Sequence, residues 1–401
     1  MPNDSLHHCL MTFCRFGRQT ALLDTKGIPT YVNEFWTSKQ RQANSLHEIA
    51  YRACFKPQLP RFFIERLTKP GDVVYDPFMG RGTTLIESAL MGRIPYGCDA
   101  NPLSNVLTRP RLNPPRLHDI ARRLNEIDLS TCRYYEHQLE VFYHPETLTA
   151  ICALREYLLK REQQGTIDDI DRWIRMVAVN RLTGHSRGFF SVYTLPPNQA
   201  VSIESQRKIN ERLGQVPPKR DVRERILRKS RSLLHDCTKT VCRVLASVAP
   251  HALILTRQSH HTPEIPDESV HLVVTSPPFL DVVDYAQDNW LRCWFCDIDP
   301  KSVPITVVGS LDEWCEAMHQ VFVELARVLV REGWVAFEVG EVRGGRVRLE
   351  EAVLQAVQAL PLTPEAIVIN DQRFTKTAHI WGVYNQAKGT NTNRIVLLRK
   401  R

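Results

Sequence analysis

No run in this 401-residue chain approaches the ~20 consecutive apolar positions that a helix needs to cross a bilayer. Its first 19 residues lack the basic stretch, apolar core and small-residue cleavage site of a secretory leader, so a cytoplasmic protein without membrane contact is expected. There is no disulfide framework: the 11 cysteines are odd in number and scattered, as reduced thiols are. The single Cys-x-x-Cys, Cys293 to Cys296, has no second pair and no histidines at ligand spacing. It reads as two buried thiols beside Trp290 and Trp294, and no metal is expected. Internal repeats and low-complexity tracts are absent as well.

What is present is an ordinary globular composition, 43% hydrophobic and 24% charged, long enough for one large domain with a substantial insert. The formal charge of +8 is unevenly placed. Residues 180–250 hold 14 Lys/Arg against 5 Asp/Glu, while the remainder is close to balance. Such a segment suits a polyanion. A solvated helix face with internal ion pairs among Arg220, Asp221, Glu224 and Arg228 is the plainer alternative.

Along the chain, residues 1–45 are polar and irregular, and 46–67 read as helix up to the breaker Lys69-Pro70-Gly71. A short apolar strand at 72–75, a glycine turn, a helix at 84–91 and a strand at 94–98 ending on Asp99 form one strand–turn–helix–strand unit. From 105 to 250 the pattern is mainly helical: 117–127, 145–163, 167–181, 203–213 and 222–248, entered through a Pro-rich stretch at 109–116. The α/β rhythm then resumes, with a strand at 271–275 and a capping box Ser310 to Glu313 opening a helix to about 330. A strand follows at 334–339, and 366–369 with 394–398 are candidates for a closing antiparallel pair. The halves 1–104 and 251–401 thus read as one doubly wound α/β domain, a seven-stranded mixed sheet, with 105–250 inserted.

Two motifs carry chemistry. Asp76-Pro-Phe-Met-Gly80-Arg-Gly82-Thr83-Thr84 leaves a strand and opens a helix. Its glycines permit a tight turn and close backbone approach, and the helix start offers free N–H groups to an anionic ligand. Asp99 follows 23 residues after Asp76, near the spacing at which an acid on the next strand reaches ribose hydroxyls. The missing third glycine counts against NAD and FAD. The second motif, Ser276-Pro277-Pro278-Phe279, directly follows a strand. Its prolines remove two donors and fix φ, leaving a rigid loop of carbonyls, one hydroxyl and a ring. A flipped base with an exocyclic NH2 needs such acceptors and a surface to stack on.

Together the two motifs resemble those of the DNA amino-methyltransferases, the cytosine-N4 and adenine-N6 group. Similarity extends upstream to Phe55-Lys56-Pro-Gln-Leu-Pro-Arg-Phe-Phe63, and downstream to Asp284-Tyr285, Arg327-Val-Leu329 and 389–394. The resemblance implies a Rossmann-like fold and S-adenosylmethionine as cofactor. It implies that Phe55, Lys56, Asp76, Phe78, Gly80, Gly82, Thr83 and Asp99 bind that cofactor. Ser276, Pro277, Pro278 and Phe279 would hold the target base, and serine at the head of the tetrapeptide favours cytosine N4. One departure stands out: Thr256-Arg-Gln-Ser-His-His261 replaces the Gly-Asp that often ends the preceding strand in relatives. His260 and His261 read as surface or polar-satisfied groups, since transfer from a sulfonium needs only late proton loss. No Pro-Cys dipeptide is available for the covalent attack that cytosine-C5 methylation requires.

The basic region supplies candidates for duplex DNA. Lys208, Arg212, Lys219, Arg220 and Arg228 would contact phosphates, while Arg187, Asn198 and Gln199 beside Phe189, Phe190 and Tyr193 would read base edges. At least two of those three aromatics are expected to be core. The expected protein is a site-specific DNA methyltransferase paired functionally with a cognate restriction endonuclease. The alternatives are adenine N6 as target, an RNA substrate, or a DNA-binding protein without catalysis.

Overall fold

In the computed structural model, residues 3–37, 43–51, 54–194, 200–278, 285–304, 310–342, 347–371 and 392–401 are described. Eleven strands are found among them: β1 Ala21–Thr25, β2 Ile28–Asn33, β3 Val73–Asp76, β4 Ile94–Asp99, β5 Leu253–Thr256, β6 Val270–Thr275, β7 Leu329–Val339, β8 Glu341–Val342, β9 Val347–Arg348, β10 Leu362–Asp371 and β11 Thr392–Lys400. Nine of them form one sheet in the order β1-β2-β10-β11-β7-β6-β3-β4-β5, and β8 and β9 pair separately. The strands β3 to β7 are mutually parallel, and β11 runs antiparallel between β7 and β10.

The central strands are buried on both faces, which is why they read as apolar runs without alternation. Val73 and Tyr75 point into one core with Val273, Val335 and Phe337, beneath the helices Leu311–Val328 and Leu349–Ala356. Val74, Leu272, Val274 and Ala336 point the other way, against Phe62 and Phe63 of the helix Gln58–Leu67. Helix Leu311–Val328 begins at the expected capping box: Ser310 accepts from the Glu313 N–H and the Glu313 side chain returns to the Ser310 N–H.

Chain order along the sheet reverses between β3 and β6. From β3 the chain steps outward to β4 and β5; from β6 it steps the other way to β7. Ligands bind beyond the carboxyl ends of strands at such a switch point. Asp76 ends β3 and Thr275 ends β6, so both sequence motifs are delivered to that place.

Several expectations are corrected. The sheet has nine strands rather than seven, because residues 1–45 are not irregular: a helix Asn3–Met11 and the hairpin β1–β2 extend the edge, β2 parallel to β10. Lys26 and Gly27 both take positive φ in the two-residue turn, and Asp24 accepts from the Gly27 N–H. β1 is mostly exposed, so it carries no apolar pattern to read. The helix expected at 46–67 reduces to a short turn Ser45–His47 and the helix Gln58–Leu67. The stretch 222–248 is two helices, Val222–Leu233 and Lys239–Val248, separated where Thr238 caps the second. The first part of the Pro-rich entry is helical too, as the end of Pro102–Leu112 with Pro110 inside it.

The helices between β4 and β5 do not enclose a core of their own. Ile120, Phe142, Trp173 and Ile226 belong to one apolar cluster with Leu85, Ile86 and Ala89 of the helix Thr83–Leu90. Among the described residues no helix is long and apolar enough to cross a membrane.

Candidate active site

The turn after β3 is shaped by its acids and glycines. Asp76 Oδ1 accepts from the Phe78 N–H at 3.1 Å, folding the chain back over the strand end. Gly80 takes a φ of 49° and Gly82 one of 74°, values in the left-handed region that disfavours side chains. The Gly80 N–H donates to Asp99 Oδ2 at 2.9 Å, joining the tip of β4 to the turn. Gly82 serves packing: a Cβ there would lie 2.3 Å from Thr108 Oγ1. Helix Thr83–Leu90 starts without a side-chain cap, so its first N–H groups remain for a ligand.

The loop after β6 is tied to this turn from below. Thr275 Oγ1 donates to Asp76 Oδ1 at 2.6 Å, and Thr84 Oγ1 donates to the Val274 carbonyl at 3.0 Å. The Trp314 indole donates to the Pro278 carbonyl at 3.0 Å. Of the two proline carbonyls, that of Pro278 therefore has a donor within the chain. Trp314 is fully buried and was not suggested by the sequence, where it is one apolar residue of a helix.

These elements enclose a cleft of about 510 Å³, within the range of small-molecule sites. Phe55, Asp76, Phe78, Gly80, Thr83, Asp99, Ser276 and Pro278 line it, joined by Tyr51, Cys54, Gln258, Ser259 and His260. Lys56, Gly82 and Pro277 are not part of the lining. Phe279, Asn198 and Gln199 lie outside the described residues. Residues 258–260 form part of the wall, so the exposed His260 is also a cleft residue.

Desolvation dominates the electrostatics. Burial pushes the Asp76 carboxyl up to about 7, against the opposing pull of Thr275, the Phe78 N–H and Thr84. Asp99 is raised for the same reason, opposed by the Asn101 and Gly80 N–H groups. Burial also lowers Lys56, with the neighbouring charge of Arg81 adding to it. Burial raises the Cys54 thiol, which keeps it protonated and inert in the cleft wall.

The basic region is more committed internally than its charge suggests. Lys208 pairs with Glu204 at 2.6 Å, and Lys219 pairs with Glu146. Arg223 donates to the Leu124 and Ile127 carbonyls, and Arg225 to that of Phe189. Arg220 is half-buried. Arg187, Arg212 and Arg228 are exposed and form no ion pair among the described residues. Phe189 and Phe190 are buried, as expected for core positions. Arg181 lies over the Phe189 ring at 4.0 Å; burial lowers its guanidinium to about 10, with Arg292 adding to the shift.

Residues 19–103 match a family described as DNA methylase. The Type II methyltransferase M.MvaI of Kocuria varians is 26% identical over 65% of this chain and 59% of its own length. The Type II methyltransferase M.BsoBI of Geobacillus stearothermophilus is 22% identical over 65% of the chain and 55% of its own. A tRNA (guanine(10)-N2)-dimethyltransferase of Methanocaldococcus jannaschii is 27% identical over 33% of the chain and 36% of its own. The chain thus spans under two thirds of the length of these curated relatives. Both motifs thus meet at the switch point of the sheet, in a chain that is similar to DNA methylases over residues 19–103 and to Type II methyltransferases over 65% of its length.

Proposed function

We propose that this protein is a site-specific DNA methyltransferase that transfers a methyl group from S-adenosylmethionine to cytosine N4 in duplex DNA, as the protective partner of a restriction endonuclease. The reading is carried by one observation: the β3 turn and the Ser276 loop line a single cleft and are bonded to each other through Thr275 and Asp76. The cofactor supplies an electrophilic methyl on a sulfonium. Asp99 suits its ribose hydroxyls, and the uncapped helix start at Thr83 suits its carboxylate. Phe55 and Phe78 provide apolar walls. At the other end, Ser276, which lines the cleft, accepts from the target amino group. Such bonds favour a tetrahedral nitrogen whose lone pair is free to attack, and positioning supplies much of the rate.

Ser276 favours cytosine. Adenine N6 would use the same cleft and the same chemistry. The partial match to a tRNA guanine-N2 enzyme supports a second reading, an exocyclic amine in structured RNA. On the DNA side, Arg187, Arg212 and Arg228 provide the exposed positive surface, with Arg220, Lys208 and Lys219 beside it.

The test is transfer of labelled methyl to unmethylated genomic DNA fragments, followed by digestion and identification of the nucleoside by mass. N4-methylcytosine establishes the reading. N6-methyladenine keeps the mechanism and removes Ser276 as indicator of the target. Label entering structured RNA in competition, and not DNA, selects the second reading.

A further inference from the structure

Three cations that the cleft chemistry leaves unused meet along the short stretch 48–51. Lys229 Nζ lies 3.9 Å from a Glu48 carboxylate oxygen, which also accepts from the Ser232 hydroxyl at 3.1 Å. The Ala50 N–H donates to Asn180 Oδ1 at 2.8 Å, which sets Arg181 beside the same stretch. From the helix Tyr285–Cys296, Arg292 donates to the Ala50 carbonyl at 3.2 Å and lies 5.9 Å from the centre of the Tyr51 ring. A second tie closes the group. Arg225, one helical turn before Lys229, donates to the Phe189 carbonyl, and Arg181 lies over the ring of that phenylalanine. The stretch spans roughly 10 Å at most. It ends at Tyr51, which lines the cleft.

These charges are poorly compensated within the chain. All three side chains are half-buried. Arg181 donates to the Asn180 carbonyl at 2.8 Å and forms no ion pair among the described residues. Lys229 has only a loose pair, with a carboxylate that is itself exposed and shared with Ser232. Arg292 gives a further N–H to the neutral Asn289 side chain at 2.9 Å. Burial lowers the Lys229 ammonium to about 8, with Arg181 adding to the shift and Glu48 opposing it; burial lowers Arg292 too. Cations gathered in a half-buried place keep their charge at a cost that a bound anion offsets.

We propose that Arg181, Lys229 and Arg292 form a phosphate-binding row at the edge of the cleft, which grips the backbone of duplex DNA beside the nucleotide to be methylated. This rests on the reading of the cleft as the site of a base in DNA. The length of the row suits roughly three phosphates of one strand. A base enters such a cleft only by rotating out of the stack about its backbone, so the phosphates next to it must be held by fixed groups. Arg181 and Arg292 are fixed by neutral oxygens, which orient a guanidinium without cancelling its charge.

The experiment uses the full chain with S-adenosylhomocysteine bound, and follows binding of short labelled duplexes of unmethylated genomic DNA as salt is raised. Arg181→Met and Lys229→Met are each expected to weaken binding about 10-fold and to lower the salt slope by about 1. Arg181→Lys and Lys229→Arg keep the charge and are expected to keep the slope. Calorimetric affinity for S-adenosylhomocysteine is expected to be unchanged in all four, which also reports a native fold. In parallel, Lys229 is titrated by NMR with labelled lysine, where duplex DNA is expected to raise it from about 8 towards its ordinary range. A lysine with a structural role alone would not move.

Normal transfer to DNA by the wild type, with a salt slope that neither methionine variant lowers, overturns the row and leaves the functional reading standing. So does a Lys229 titration that saturating duplex leaves unmoved. Absence of transfer to DNA by the wild type overturns the functional reading instead. Lys229 raised by structured RNA and not by duplex then assigns the row to RNA and overturns its assignment to DNA.

Discussion

The sheet and the helical region between β4 and β5 handle polar groups in opposite ways. At the carboxyl ends of three parallel strands the sheet places buried or half-buried acids: Asp76 on β3, Asp99 on β4 and Glu338 on β7. Their positions follow from where strands end, and their partners lie on neighbouring strands or in the turns beyond them. In the helical region charge is abundant, and much of it is consumed locally. Arg123 and Arg161 converge on the buried Asp171, and Arg175 closes on Glu162. Arg111, fully buried, donates to the carbonyls of Leu107, Leu46 and Arg81. A count of basic residues locates a candidate surface; the side chains available to a polyanion are a smaller set.

The sharpest way to break this comparison is at the strand tips. Ser276→Ala is expected to lower kcat by about 10²- to 10³-fold, the usual loss for a donor or acceptor acting on the transition state. Asp99→Ala is expected to weaken S-adenosylmethionine binding about 10- to 100-fold by calorimetry, the loss of a charged hydrogen bond. If the two variants gave the same signature, the division of the cleft into cofactor and target ends would fail. Next comes the buried cation: Arg111→Met strands three carbonyls and is expected to cost about 3 kcal/mol in urea unfolding. An unchanged midpoint would show that its bonds to the turn are dispensable.

Gly82→Ala meets both positive φ and Thr108, and is expected to destabilise by about 1–3 kcal/mol. Gly71→Ala, at φ 90° with open space around it, isolates the backbone share of that cost and should lose less. The pH dependence offers a finer test. The Asp76 carboxyl sits at about 7 in the folded chain and lower when unfolded, so the native state retains a proton that the unfolded state has lost. Its share of stability is present below its ordinary value and is lost as pH rises towards 7. Asp76→Asn should remove that slope in denaturation series between roughly pH 4 and 7.

The smallest effects are expected on the basic surface. Each of Arg212→Ala and Arg228→Ala is expected to reduce the salt slope of DNA binding by about 1, if it neutralises a phosphate. Lys208→Ala and Lys219→Ala should change it less, because each lysine already faces a carboxylate. Equal slopes for all four would mean that these exposed pairs open freely on binding.

Much of the cleft was legible in the sequence because its parts are local. A strand, a glycine turn and a helix start are contiguous from Val73 to Leu90, and the second motif directly follows its strand. Asp99 was found by spacing alone, since one crossover helix separates two adjacent parallel strands. The hairpin at 21–33 escaped because its outer strand is mostly exposed and carries no apolar period. Trp314, Glu338 and Asn393 escaped for another reason. Their roles depend on partners 36 and 55 positions away, and within their own elements they carry no signal.

By itself the sequence determined the two motifs, their order and the parallel character of the sheet, because buried strands and glycine turns are written in short runs. Tertiary structure decided which charges remain available, which glycine packs and which one turns, and which acid meets Asn393. Those are matters of distance between strands and helices remote in the chain, where desolvation and hydrogen-bond geometry set the outcome.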